Sequence, residues 1–260
     1  MDMYGLGGRW FFSPVQSDNA PLREAWFVNK NPWAGVNAGL LSIDIEGGLG
    51  DTSFSGMMFG ASGAYVDPGL PFGVQMGFSY ATYENDDDSD FTGSMTSFEI
   101  LGAYFIDNAL AAGLNIGMDT AKMEMGSITS ETTTMFYGVF GKYVLDIVPD
   151  QQWISIEATI GMSIASDDDL DEDISMFVID LTCIYYPVKY IGVGVSLKNE
   201  SGEDENYDPA EDVGGLTFGV LATYDYETML GIQASYESFS PANDDEDSSS
   251  TLALELTYRF

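Results

Sequence analysis

Apolar and polar residues alternate along most of this chain, in runs broken by tight turns or acidic loops. The last ten residues, TLALELTYRF (251–260), give the clearest case. Leu252, Leu254, Leu256, Tyr258 and Phe260 fall on one face, and Thr251, Ala253, Glu255, Thr257 and Arg259 on the other. A period of two is the signature of a strand with one apolar side. Similar runs occur near 3–12, 34–46, 52–66, 72–83, 94–106, 110–123, 132–146, 153–166, 174–186, 190–199, 215–225, 228–239 and 250–260. The pattern therefore predicts an all-β chain of about thirteen strands, each long enough, when tilted, to cross a bilayer.

The connections alternate in kind. Short ones at 67–71, 106–109, 147–152, 186–190 and 224–228 take turns with longer polar segments at 84–90, 125–131, 167–173, 200–212 and 241–247. Four of the longer segments hold 22 of the 42 acidic residues. A soluble acidic sandwich would spread its charge over both ends. Short turns at one end and long loops at the other suit an antiparallel up-and-down transmembrane β-barrel, a single domain spanning 1–260. Aromatics at the ends of the apolar faces, such as Phe72, Tyr104, Tyr143, Tyr185, Tyr224, Tyr236 and Tyr258, suit interfacial girdles.

An odd strand count is awkward for a bacterial barrel. The first run, YGLGGRWFF, resembles the descending runs FEILGAYFI, YGVFGKYVL and LALELTYRF, with aromatics toward the short-turn end. The chain also opens Met1-Asp2 without the basic and apolar regions of a signal peptide. The expectation is a native barrel of about fourteen strands whose signal peptide and first strand are missing from this sequence. A short strand at 22–30 is the alternative. The segment 13–33 breaks the rhythm: Asp18-Asn19-Ala20-Pro21 before Leu22-Arg23-Glu24-Ala25-Trp26-Phe27 predicts a capped helical turn. It is read as a packed linker, with a lumen plug or membrane-surface turn as alternatives.

Charge and chemistry narrow the function. A net charge of −34 leaves no basic surface for nucleic acid. There is no histidine, the commonest general base and transition-metal ligand. The glycine-rich stretch at 5–8 lies in a strand rather than before a helix, so it predicts no phosphate cradle. No catalytic residue and no cofactor is assigned, and the chain is not read as an enzyme. Cys183 sits on an apolar strand face and reads as a small hydrophobe. The aspartates Asp86, Asp87 and Asp88, and Asp167, Asp168 and Asp169, lack the spacing of a calcium loop and read as solvated, with weak divalent association as the other reading.

The hairpin rhythm, the segments YGLGGRWFFSP and APLREAWF, and the terminal LTYRF together resemble Gram-negative outer-membrane β-barrels of the porin family, over nearly the whole chain. The resemblance implies residence in the bacterial outer membrane and passive permeation. It also implies contact with outer-membrane lipid and lipopolysaccharide, and a terminal signal at Tyr258 and Phe260 read by the barrel-assembly machinery. If the apolar faces meet lipid, the opposite faces line a lumen with Asp44, Glu99, Asp119, Glu157, Asp180, Glu237 and Glu255, countered by Arg9, Lys142, Lys198 and Arg259. Such an acid excess favours cations in a wet pore; alternatively the charges pair across strands and hold the interior together. The expected function is a porin-like channel for passive diffusion of small hydrophilic solutes, preferring cations. The alternative is a closed structural or surface-interaction barrel working through its acidic external loops.

Overall fold

A computed structural model describes residues 2–12, 20–21, 24–45, 52–67, 69–85, 91–149, 151–167, 173–204, 211–226, 230–242 and 248–259. The alternating runs all become strands: β1 (Asp2–Phe11), β2 (Trp33–Ile45), β3 (Thr52–Val66), β4 (Phe72–Asn85), β5 (Phe91–Phe105), β6 (Leu110–Met125), β7 (Ile128–Val148), β8 (Gln152–Asp167), β9 (Ile174–Val188), β10 (Ile191–Asp204), β11 (Glu211–Tyr226), β12 (Leu230–Pro241) and β13 (Ser249–Arg259). A single helical turn, α1 (Ala25–Val28), lies between β1 and β2.

Each strand pairs antiparallel with its successor, and β1 closes the ring on β13. With thirteen strands running up and down, the first and last point the same way, so the closing pair is parallel, from Asp2↔Leu252 to Arg9↔Arg259. β1 thus runs toward the short-turn end, the direction its aromatics predicted. The alternative short strand over 22–30 does not form; Ala25–Val28 is helical instead.

Closure assigns every side chain to one of two environments. On β10, Ile191, Val193, Val195 and Leu197 point outward and are 41–49% exposed. On β9, Phe177, Ile179, Leu181, Cys183 and Tyr185 share the outward parity, while Val178, Ile184 and Tyr186 are buried inside. Five alternate outward positions, at about 3.3 Å per residue and a tilt near 40°, make an apolar band roughly 20 Å tall. Tyrosines mark its short-turn edge on successive descending strands: Tyr65, Tyr104, Tyr143, Tyr185, Tyr224 and Tyr258, from β3, β5, β7, β9, β11 and β13. The Phe72 and Tyr104 rings meet edge-on there at 5.1 Å. This outer surface is suited to hydrocarbon, not water.

The strands outrun the alternating pattern at the long-loop end. Residues 125–131, expected as a loop, are a hairpin whose turn is only Gly126-Ser127, with Met125 opposite Ile128. Gly126 takes φ +60°, the left-handed conformation that such two-residue turns require. Likewise 200–212 is mostly ladder, with β10 running to Asp204 and β11 resuming at Glu211. At 125–131 the apolar Met125 and Ile128 fall on the inward parity, and 200–204 is polar throughout, so the outward apolar period ends while the backbone bonds continue.

The outward band yields the first prediction. Val195→Arg should cost about 2–4 kcal/mol in urea unfolding from lipid vesicles, because it places a guanidinium in the band. Thr159→Lys, on the opposite parity and across from Asp180, should change stability by less than about 0.5 kcal/mol. Equal costs for the two would contradict the assignment of faces.

Candidate functional site: a plugged lumen

β1 and β2 meet at the short-turn end, where Phe11 pairs with Trp33. The described residues between them, 20–21 and 24–32, turn inward. Hydrogen bonds from Glu24 N to Pro21 O, and from Phe27 N and Val28 N to Glu24 O, wind one turn. Lys30 ends it at φ +55°, and Phe12 N to Pro32 O restores the path to the wall. The packed-linker reading and the plug alternative meet here, because the described residues of the segment pack and do so inside the barrel: Ala20, Phe27 and Val28 lie on Val66, Phe105, Ala111 and Val144. The Phe27 and Phe105 rings lie 5.3 Å apart.

One acid anchors this segment. Glu24 is 3% exposed; its carboxylate lies 3.0 Å from Lys142 Nζ and accepts a 3.0 Å hydrogen bond from the Tyr186 hydroxyl. Lys142 also reaches Glu157, its cross-strand neighbour, at 3.2 Å. One ammonium from β7 is thus shared between the plug and β8. Tyr186 is fully buried beside Trp153 and Ile184. Its ring fits because position 192 is glycine: a Cβ there would come within 2.7 Å of the ring and of Thr223 Oγ1. Both apolar clusters lie toward the short-turn end of the barrel.

Above the plug the lumen is polar. By register and parity, Arg9, Glu99, Asp119, Lys142, Glu157, Asp180, Lys198, Glu237 and Glu255 all face inward. Arg259 pairs with Arg9 in the ladder, and its side chain lies outside the described residues. Asp44 pairs with Ser53 in the ladder of β2 and β3, and its side chain lies outside the described residues.

Some lining charges pair and others do not. Asn115 Nδ2 donates to Glu99 at 2.8 Å, Lys198 lies 2.9 Å from Glu200, and Thr257 Oγ1 donates to Glu255 at 2.7 Å. Glu255 has no ion pair among the described residues. The guanidinium of Arg9 stacks 4.0 Å above the Trp33 ring.

A cavity of about 330 Å³ lies directly above the plug, between Glu24 and Phe27 below and Arg9, Trp33, Phe140, Glu157 and Glu255 on the walls. A second, of about 310 Å³, adjoins it along the seam and shares Arg9, Ser62, Glu255 and Thr257 with it.

The remaining expected residues lie elsewhere. Tyr258 ends the outward face of β13, and Phe260 lies outside the described residues, as do Asp86, Asp87, Asp88, Asp168 and Asp169. Asp167 closes β8 and accepts a 2.6 Å hydrogen bond from Thr132. Among the described residues no group of acids, histidines or cysteines has metal-binding geometry. Glu24, Phe27 and Tyr186 were not picked out as site residues. Their one sequence signal is an acid inside the aromatic stretch LREAWF, at the sole connection that breaks the rhythm.

No protein-family model and no curated protein matches the chain. Among solved structures, the β domain of the Bordetella autotransporter Brka is similar at 13% identity and a TM-score of 0.45, covering 85% of this chain and 94% of that one. A likeness so distant carries no functional argument. The barrel assignment rests on this chain's own closed ladder.

Plug anchoring can be tested residue by residue. Lys142→Met strips Glu24 of its buried counter-charge and should weaken docking of the segment by about 3 kcal/mol. Tyr186→Phe removes one hydrogen bond and should weaken it by about 1 kcal/mol. Amide exchange across residues 24–31 in micelles reads both. The ranking should be Lys142→Met above Tyr186→Phe above wild type, and unchanged exchange in both variants would contradict the anchor.

Proposed function

We propose that this chain is a Gram-negative outer-membrane barrel acting as a gated channel for small hydrophilic solutes, with a preference for cations. The short-turn end faces the periplasm and the acidic loops face outside. The observation that carries this reading is the combination of a polar, acid-rich lumen with an end stopped by one short segment on a single shared ammonium. A structural barrel would gain nothing from an unfilled charged interior. Thirteen strands fall between the eight whose interiors side chains fill and the sixteen or more that enclose an aqueous channel. A barrel of that size can be stopped by one helical turn and opened by its release.

Cation preference follows from the lining. Six inward acids, Glu99, Asp119, Glu157, Asp180, Glu237 and Glu255, face Arg9, Lys142 and Lys198, and a fixed negative excess between low-dielectric walls concentrates cations. Residence in the outer membrane brings the partners the apolar band and chain end suit: outer-membrane lipid and lipopolysaccharide, and the assembly machinery reading Tyr258 and Phe260.

The plug also gives the second reading its support, since a permanently docked segment makes a closed barrel that works through its loops. Planar-bilayer recording under a KCl gradient separates the two. The intact protein should give small, interrupted currents. Lys142→Met should give steady conductance with a reversal potential favouring K⁺. Silence from both, in protein shown to be folded and inserted, would establish the closed barrel instead.

A further inference from the structure

We propose that the cavity above the plug is a binding site for a monovalent organic cation bearing an apolar body, such as an arylalkylamine. The inference rests on the channel reading for its role as a selectivity site, but binding itself is measured without current. Three observations lead to it.

The first is size and wall chemistry. About 330 Å³ is at the lower end of the range that holds a small organic molecule. Phe27, Phe105, Phe140 and Leu101 make part of the wall apolar. A hydrated metal ion would leave those surfaces wet, whereas an apolar body covers them.

The second is charge. The carboxylates of Glu24, Glu157 and Glu255 line the same space as only two cations, Arg9 and Lys142. Lys142 is shared between Glu24 and Glu157, and among the described residues Glu255 accepts a hydrogen bond from the Thr257 hydroxyl and has no ion pair. One added positive charge balances the described lining, and Glu255, which projects into both cavities, is its natural partner.

The third is that this region already receives cations on aromatic faces. Arg9 lies 4.0 Å above Trp33, Lys30 5.2 Å from Phe105 and Lys142 5.4 Å from Phe27. Phe140, buried to 6% exposure on the same wall, carries no such cation among the described residues. A ligand ammonium at Glu255 with its body against Phe140 extends an arrangement the chain has built three times from its own residues.

Calorimetry of the intact, folded barrel in micelles tests this with phenethylammonium, 2-phenylethanol, phenylacetate and ammonium as probes. Phenethylammonium should bind saturably at one site, at least about tenfold tighter than either the neutral or the headgroup-only probe. Glu255→Gln should remove that advantage. Glu237→Gln, a lumen acid outside the cavity, should keep it. Glu157→Gln gives a second reading should Glu255→Gln fail to fold, and should also weaken binding. Equal affinity for phenethylammonium and 2-phenylethanol, or affinity unchanged by both cavity variants, overturns the inference. A conducting barrel that does not bind the probe sinks this site and leaves the channel. A silent barrel that binds it sinks the channel and leaves the site.

Discussion

A backbone amide facing hydrocarbon has no water to bond, so every one on the wall must find a partner in the neighbouring strand. All else in this molecule follows from that requirement. It forces the sheet to close, and the odd count then forces the parallel β1–β13 pair. Closure in turn separates two environments at every residue. The outward parity carries Val, Leu, Ile and a row of tyrosines, and the inward parity carries the charges. The same division leaves the residues joining β1 to β2 one place to bury Phe27 and Val28, which is inside.

The wall was legible for the same reason. A strand separating lipid from water must alternate, and Phe177, Ile179, Leu181, Cys183 and Tyr185 against Val178, Asp180 and Thr182 state that alternation locally. Legibility fails where the two faces stop differing. Residues 125–131 stand clear of the band, and their apolar pair Met125 and Ile128 falls on the inward parity, so their ladder does not continue the outward period. The plug was least legible. Glu24 and its hydrogen-bond partner Tyr186 are 162 residues apart, and a contact made across a closed barrel has no signature in local spacing.

The lumen's charges divide into two kinds of work. Lys142 and Glu24 form a buried pair that holds a segment in place, with the half-exposed Glu157 beside them. A buried pair of this sort gains little net stability but is costly to break from one side, which suits an anchor. Glu99, Glu237 and Glu255 are open to the interior and set its potential. Because the anchor borrows its ammonium from the lining, docking of the plug and the charge of the cavity above it are coupled through one side chain.

The central claim is that the segment 20–31 closes the lumen from within, and a reversible crosslink tests it most directly. With Cys183, on the lipid face, replaced by serine, Phe27→Cys and Phe105→Cys stand where the two rings now meet at 5.3 Å. Bilayer current should be absent while the disulfide holds and should appear, favouring K⁺, when it is reduced. Failure of the pair to crosslink, or the same current in the oxidised and reduced forms, would contradict the account.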